Sequence, residues 1–143
     1  MPASLTRPPI IFRRVCWIGV GLWAATVFTL SSLSGPEVEE LNIFNAWDKL
    51  LHFTAFFCGA LPFIPALRLT RDWRWSRIVW VATLLMSAYG ALDEVHQMFS
   101  PSRSALDPGD WIADTLGAAV GSIVTAFFHA RFTRTTRPAE ARD

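Results

Sequence analysis

Long apolar segments alternate along this chain with short connections rich in polar residues. Segments 15–33 and 50–69 contain no acidic residue, and each is close to the roughly 20 residues that cross a bilayer as a helix. Segments 78–98 and 111–130 are of similar length and carry acidic residues only toward one end. The pattern therefore predicts an all-α polytopic membrane protein, a bundle of four transmembrane helices.

Two other interpretations of the apolar segments are weaker. A soluble four-helix bundle needs polar residues at every third or fourth position of an outer face, and none of the four segments has such a face. Arg13 and Arg14 precede segment 15–33, as in a signal peptide, but the apolar stretch exceeds the 7 to 15 residues of a signal core. We therefore interpret segment 15–33 as an uncleaved span. An N-terminal arm, 1–14, precedes it, and a disordered tail, 131–143, is predicted to follow the last span.

Composition supports a membrane protein, and the distribution of charge predicts its orientation. Of the 143 residues 52% are hydrophobic and only 17% are charged, below the roughly one quarter usual in globular proteins. The net charge of +1 argues against nucleic-acid binding. Eleven of the 13 basic residues lie in the arm, the connection between the second and third spans, and the tail, whereas nine of the 12 acidic residues lie toward the opposite side. Because basic connections stay in the cytoplasm, both termini are predicted to be cytoplasmic.

Ionisable and amide side chains gather near the outer ends of three predicted spans. Asp48 and His52 are four residues apart and share a helix face, and Asp110 and Asp114 repeat that spacing. Ionisable residues in a membrane are costly, so they mark candidate functional positions. The candidate polar site consists of Asp48, Lys49, His52, Glu94, Gln97, Arg103, Asp110 and Asp114. Arg103, in the last connection, is the expected partner of Glu94, and a purely structural network of these residues is the competing interpretation.

Two small residues in the fourth span predict a helix contact. Gly117 and Gly121 form a Gly-x-x-x-Gly motif, which allows two helix backbones to approach closely within a membrane. We favour packing within one chain over dimerisation, and the oligomeric state stays open.

Three motifs in order resemble the VanZ-like membrane protein family. They are DKLLHF at 48–53, DEVHQMFSPSR at 93–103 and DPGDWIADTLGAAVG at 107–121. They contain all the polar-site residues and both motif glycines. The resemblance implies a small multi-pass protein of the bacterial cytoplasmic (inner) membrane. The member that names the family is linked to tolerance of teicoplanin-type antibiotics, so the resemblance also suggests a role of this kind.

The polar site suggests three functions. In the first, it binds the headgroup of a cell-envelope lipid, such as a lipid-linked intermediate, with Lys49, His52 and Arg103 contacting phosphate or carboxylate oxygens. The remaining residues would orient these cations: Glu94, Gln97, Asp110 and Asp114. In the second, the cluster belongs to an intramembrane lipid hydrolase or phosphatase. In the third, the protein is a proton-coupled transporter and the buried carboxylates carry the protons. Four spans are fewer than a monomeric transporter usually has.

Glu94 or His52 has the chemistry of a general acid or base. Six side chains at this level supply enough oxygen and imidazole ligands for a divalent metal: Asp48, His52, Asp93, Glu94, His96 and Asp110. The spacing matches no established metal signature, however. We therefore predict no cofactor, and the lipid bilayer itself is the one partner that the pattern demands.

Overall fold

The computed structural model describes residues 10–34, 36, 48–101 and 106–135, which form four α-helices and no strand. All four are long and apolar enough to cross a membrane, which confirms the predicted all-α architecture. The helices are α1 (Ile10–Ser31), α2 (Asp48–Thr70), α3 (Trp75–Gln97) and α4 (Pro108–Thr135).

The first and last helices extend beyond the apolar segments that predict them. Helix α1 begins at Ile10, so residues 10–14 of the predicted arm are helical, and α4 continues to Thr135, five residues into the predicted tail. Arginine is a good helix former whose long side chain reaches toward water, so Arg13 and Arg14 extend α1 although they are not apolar. Segments 1–9 and 136–143 lie outside the described residues.

Contacts between helix ends show that the helices run alternately up and down. Near the start of α1, Trp17 donates a hydrogen bond of 3.0 Å to Thr70 at the end of α2. At the start of α3, Trp75 packs against His129 in the last part of α4, with ring centroids 5.4 Å apart. At the opposite end, Ser31 of α1 meets Asp93 of α3. The starts of α1 and α3 therefore lie with the ends of α2 and α4.

The two ends of the bundle carry opposite charge. Among the described side chains, one end contains Arg13, Arg14, Arg68, Arg71, Arg74, Arg77 and Arg131, with Asp72 as its acidic residue. The other end, which we call the acidic end, contains Asp48, Asp93, Glu94, Asp107, Asp110 and Asp114, together with Lys49. The fold thus collects the candidate polar residues at one end.

Helices α2 and α4 form the closest pair in the bundle. A Cβ atom added to Gly121 would lie 2.7 Å from the carbonyl oxygen of Phe57, and one added to Gly117 would overlap the carbonyl oxygen of Phe53. Both motif glycines therefore contact α2 of the same chain. This contact fixes the height of α2 relative to α4, which in turn places the polar residues at their starts side by side.

Large apolar side chains face outward from every helix. Examples are Leu22 on α1, Trp80 and Leu92 on α3, and Phe132 on α4, all strongly exposed in the isolated chain. So much exposed apolar surface is typical of lipid-facing helices rather than of a soluble bundle. Helix α1 is the most peripheral, because only Cys16, Val27 and Ser31 of its residues are buried.

Candidate functional site

Asp107 caps the start of α4 and contacts a lysine of α2. The N–H of Gly109 donates a hydrogen bond of 2.7 Å to Oδ1 of Asp107, which is the capping role that favours aspartate here. Pro108 suits the first helical position because it lacks an N–H that would need a partner. Oδ2 of Asp107 lies 2.9 Å from Nζ of Lys49. The Lys49 ammonium, followed by the Gly109 N–H, holds the pKa of the Asp107 carboxyl below its usual range.

A second carboxylate holds the same lysine. Oδ1 of Asp110 lies 2.8 Å from Nζ of Lys49, and Asp110 is buried. The lysine side chain itself is 56% exposed. The Lys49 ammonium group is thus held between Asp107, which precedes α4, and Asp110 of α4, while part of the lysine side chain still faces the surroundings of the bundle.

One turn further into the membrane, His52 of α2 pairs with Asp114 of α4. His52 Nδ1 lies 3.0 Å from Oδ1 of Asp114, and the side chains are 14% and 0% exposed. Oδ2 of Asp114 is buried without a hydrogen-bond partner among the described residues. It lies so close to α3 that a Cβ added to Gly90 would be 2.7 Å away.

Glu94 of α3 is buried beside the start of α4. Its Oε2 accepts a hydrogen bond of 2.9 Å from the backbone N–H of Asp107. Its Oε1 is buried and has no hydrogen-bond partner in the described part of the chain. Arg103 lies outside the described residues, so its pairing with Glu94 stays a prediction.

Gln97 belongs to a separate polar contact between α1 and α3. Oδ2 of Asp93 accepts hydrogen bonds from Ser31 Oγ at 2.6 Å and from Gln97 Nε2 at 3.2 Å. Beside it, His96 lies 3.0 Å from Ser32 Oγ. Ser31 and Ser32 are not among the residues predicted from the sequence to form the polar site. The sequence places both serines at the outer end of segment 15–33, level with the acidic residues, and that position could have identified them.

Asp48, at the first position of α2, completes the group. It is exposed, and it lies with His52 and Asp110 so that one ligand atom of each is within 4.8 Å of the other two. The structure therefore brings Asp48, Lys49, His52, Asp110 and Asp114 together on facing surfaces of α2 and α4. Glu94 adjoins them from α3, while Gln97 lies in the α1–α3 contact.

Four membrane-length helices with a cluster of buried ionisable groups at one end define a polytopic α-helical membrane protein. The VanZ/LLP1 family model matches residues 13–129. The chain therefore belongs to the VanZ/LLP1 family, and because the match begins in α1 and ends in α4, the family domain includes all four helices. The chain has no match among curated proteins or solved structures.

Proposed function

We propose that the acidic end lies at the outer face of the bacterial cytoplasmic membrane and binds the phosphate of a cell-envelope lipid through Lys49 and His52. The observation that carries this proposal is that carboxylates in and just before α4 hold the two cationic side chains of α2. Lys49 is bound by Asp107 and Asp110 at 2.9 and 2.8 Å, and His52 by Asp114 at 3.0 Å.

Each side chain retains a donor for a ligand. The lysine ammonium has three N–H donors, of which two are directed at carboxylates. His52 uses Nδ1 for Asp114, so Nε2 is the nitrogen that remains. Positions 49 and 52 are three apart on one helix and are therefore neighbours on its surface. Because the carboxylates already immobilise both side chains, binding a phosphate costs little additional side-chain entropy.

Apolar side chains beside the cluster suit the acyl or polyprenyl chains of such a lipid. Leu50 and Leu51 on α2 and Trp111 and Ile112 on α4 are exposed next to the polar residues. Tryptophan is enriched where a membrane meets water, which fits a headgroup site at this depth. A bound lipid would thus place its phosphate at Lys49 and its chains along the helices.

The binding test is native mass spectrometry of detergent-solubilised protein titrated, in EDTA, with undecaprenyl phosphate or phosphatidylglycerol. We expect Lys49→Gln and His52→Gln each to weaken retention of undecaprenyl phosphate by about tenfold or more, since a hydrogen bond to a charged group contributes about 1.5–3 kcal/mol. The matched control is Arg71→Gln, an exposed cation at the other end. Equal retention in all variants contradicts the site, and equal binding of both lipids contradicts selectivity for an envelope intermediate.

The proposed role in envelope and antibiotic tolerance is tested by growth. A deletion strain should become more sensitive to cell-wall antibiotics, and wild-type protein but not Lys49→Gln should restore growth. If Lys49→Gln also restored growth, the tolerance would not depend on the lipid site.

The pair of His52 and Asp114 favours one other function, a lipid phosphatase. A buried carboxylate that orients an imidazole is a common arrangement for a general base. Phosphate release from undecaprenyl pyrophosphate by purified protein, abolished in His52→Gln, would support this activity. Retention of the lipid without turnover would reject it and leave binding as the function.

A further inference from the structure

We infer that Asp48, His52 and Asp110 form a binding site for a divalent transition-metal ion. The site shares His52 with the proposed lipid site, and Nε2 either donates to a phosphate or, without its proton, binds the ion. Metal binding does not depend on the lipid proposal, because the ion is bound by the protein's own side chains. It joins two elements, since Asp48 and His52 lie on the first turns of α2 and Asp110 lies on the first turn of α4.

The distances are close to those that a single ion requires. One ligand atom from each of the three side chains lies within 4.8 Å of the other two. Ligand atoms that bind one tetrahedral zinc ion at about 2.1 Å are about 3.4 Å apart. A side-chain movement of about 1.4 Å or less therefore completes the site. Asp48 is the exposed member, so its side chain has room to make that movement.

The hydrogen bonds of the three residues leave suitable ligand atoms. Asp110 directs Oδ1 at Lys49, so Oδ2 remains. His52 directs Nδ1 at Asp114, so Nε2 remains. A histidine that binds a metal usually gives its other ring nitrogen to a carboxylate, which fixes the ring and makes the nitrogen at the metal more basic. Asp114 occupies that supporting position.

Two buried carboxylate oxygens supply an independent sign that positive charge belongs here. Within the described residues, Oε1 of Glu94 and Oδ2 of Asp114 are buried without hydrogen-bond partners. Asp114 bonds the proposed ligand His52 through its other oxygen, and Glu94 accepts from the backbone of Asp107, three residues before the proposed ligand Asp110. Buried charges need a counter-charge or a full set of hydrogen bonds. A doubly charged ion held by Asp110 and His52 would provide that counter-charge for both.

The ligand set indicates the class of metal. Imidazole suits zinc and the neighbouring transition metals, whereas magnesium and calcium prefer oxygen ligands alone. One imidazole and two carboxylates therefore favour Zn²⁺ or Mn²⁺. Three protein ligands leave a coordination position open, as in catalytic rather than purely structural zinc sites.

The test is metal binding by the full chain, purified in detergent with a tag that contains no histidine and stripped with EDTA that is then removed. Zn²⁺ is titrated by calorimetry and Mn²⁺ by electron paramagnetic resonance, with no lipid added. We expect one ion per chain and a loss of affinity of about tenfold or more in Asp48→Asn and in His52→Gln. Asp72→Asn, an exposed carboxylate at the other end, is the control and should bind as wild type does.

Lys49→Gln should raise the affinity for the metal ion, whereas Asp48→Asn and His52→Gln should lower it. It removes a positive charge 2.8 Å from Asp110, so the ion should bind more tightly. A variant that only damaged the structure would not gain affinity. Because Asp48 is exposed, Asp48→Asn should unfold at the wild-type temperature in EDTA, which separates loss of the ion from loss of the fold.

Absence of saturable binding to the wild-type chain would overturn the inference, and so would equal affinity in wild type, Asp48→Asn and His52→Gln. Failure of the lipid proposal appears in a different assay. Lipid retention is measured in EDTA, and metal binding is measured without added lipid.

Discussion

Asp114 accepts a hydrogen bond from His52 at 3.0 Å, and its side chain is completely buried in the bundle. The pair crosses from α4 to α2 one turn below the Lys49 contacts. Its geometry ties the two helices together at the level where the polar end of the bundle gives way to its apolar interior.

Loss of the Asp114 carboxyl group should destabilise the bundle strongly. We expect Asp114→Ala to lower the free energy of unfolding by about 3 kcal/mol, because removing one partner of a buried pair leaves the other without a counter-charge. Asp114→Asn keeps an oxygen that can accept the His52 N–H, so about 1 kcal/mol is expected. The measurement is SDS titration in detergent micelles. Asp72→Asn, whose side chain is fully exposed, serves as control, and equal losses in Asp114→Ala and Asp72→Asn would contradict the prediction.

The motif glycine at the α2–α4 contact should not tolerate a methyl group. Gly117→Ala places Cβ against the Phe53 carbonyl, and we expect a loss of about 2 kcal/mol in the free energy of unfolding from overpacking. Gly21→Ala is the matched control, since among the described residues no atom from outside its own stretch of α1 lies within 4 Å of the added Cβ, and a helical alanine is favoured over glycine. If the motif instead joined two chains, Gly117→Ala would change the molecular mass in solution, measured by sedimentation, and leave the stability of the monomer unchanged.

The hydroxyl group of Ser31 should matter for the attachment of α1. Ser31→Ala removes the 2.6 Å hydrogen bond to Asp93, and a hydrogen bond to a charged group contributes about 1.5–3 kcal/mol. Thr29→Ala is the comparison, because that hydroxyl group donates to the Ala25 carbonyl of its own helix and so does not join α1 to another helix among the described residues. We expect SDS titration to show a larger loss for Ser31→Ala. Equal effects would mean that α1 is held by its apolar contacts alone.

The orientation of the bundle can be tested by labelling single cysteines in cells. In a chain with Cys16 and Cys58 replaced by alanine, Phe99→Cys lies exposed at the acidic end and Arg71→Cys lies exposed at the arginine-rich end. A membrane-impermeant maleimide should label Phe99→Cys in intact cells and Arg71→Cys only after the membrane is opened. The reverse pattern would place the acidic end in the cytoplasm.

The sequence predicted the helices and the shared faces of α2 and α4, because hydropathy and the spacing of four residues are local properties. It did not determine which residues meet across the helices. His52 pairs with Asp114, and Lys49 with Asp110, because Gly117 and Gly121 set the relative height of the two helices. That relative height depends on contact between the backbones of two helices, whereas the spacing of four residues describes the faces of one helix only.

Two contacts near the polar site could not be predicted from the pattern of side chains in the sequence. Glu94 accepts from the backbone N–H of Asp107, a donor that every residue type except proline offers and that no side-chain pattern reveals. The predicted pairing of Glu94 with Arg103 stays a prediction. Ser31 was missed because a hydroxyl group hardly changes hydropathy. Its importance comes from burial against Asp93, which becomes visible only when α1 and α3 are packed.

The peripheral position of α1 implies an order of assembly. This helix is made first, yet it buries only three residues, and one of them is bonded to Asp93, 62 residues further along the chain. Its Trp17 and Trp23 donate instead to Thr70 and to the Ala55 carbonyl of α2, the next helix to be made. During synthesis α1 can therefore pack against α2 as soon as α2 has entered the membrane, whereas the Ser31 contact must wait for the far end of α3. The helix that is inserted first thus completes its docking only after the third has been inserted.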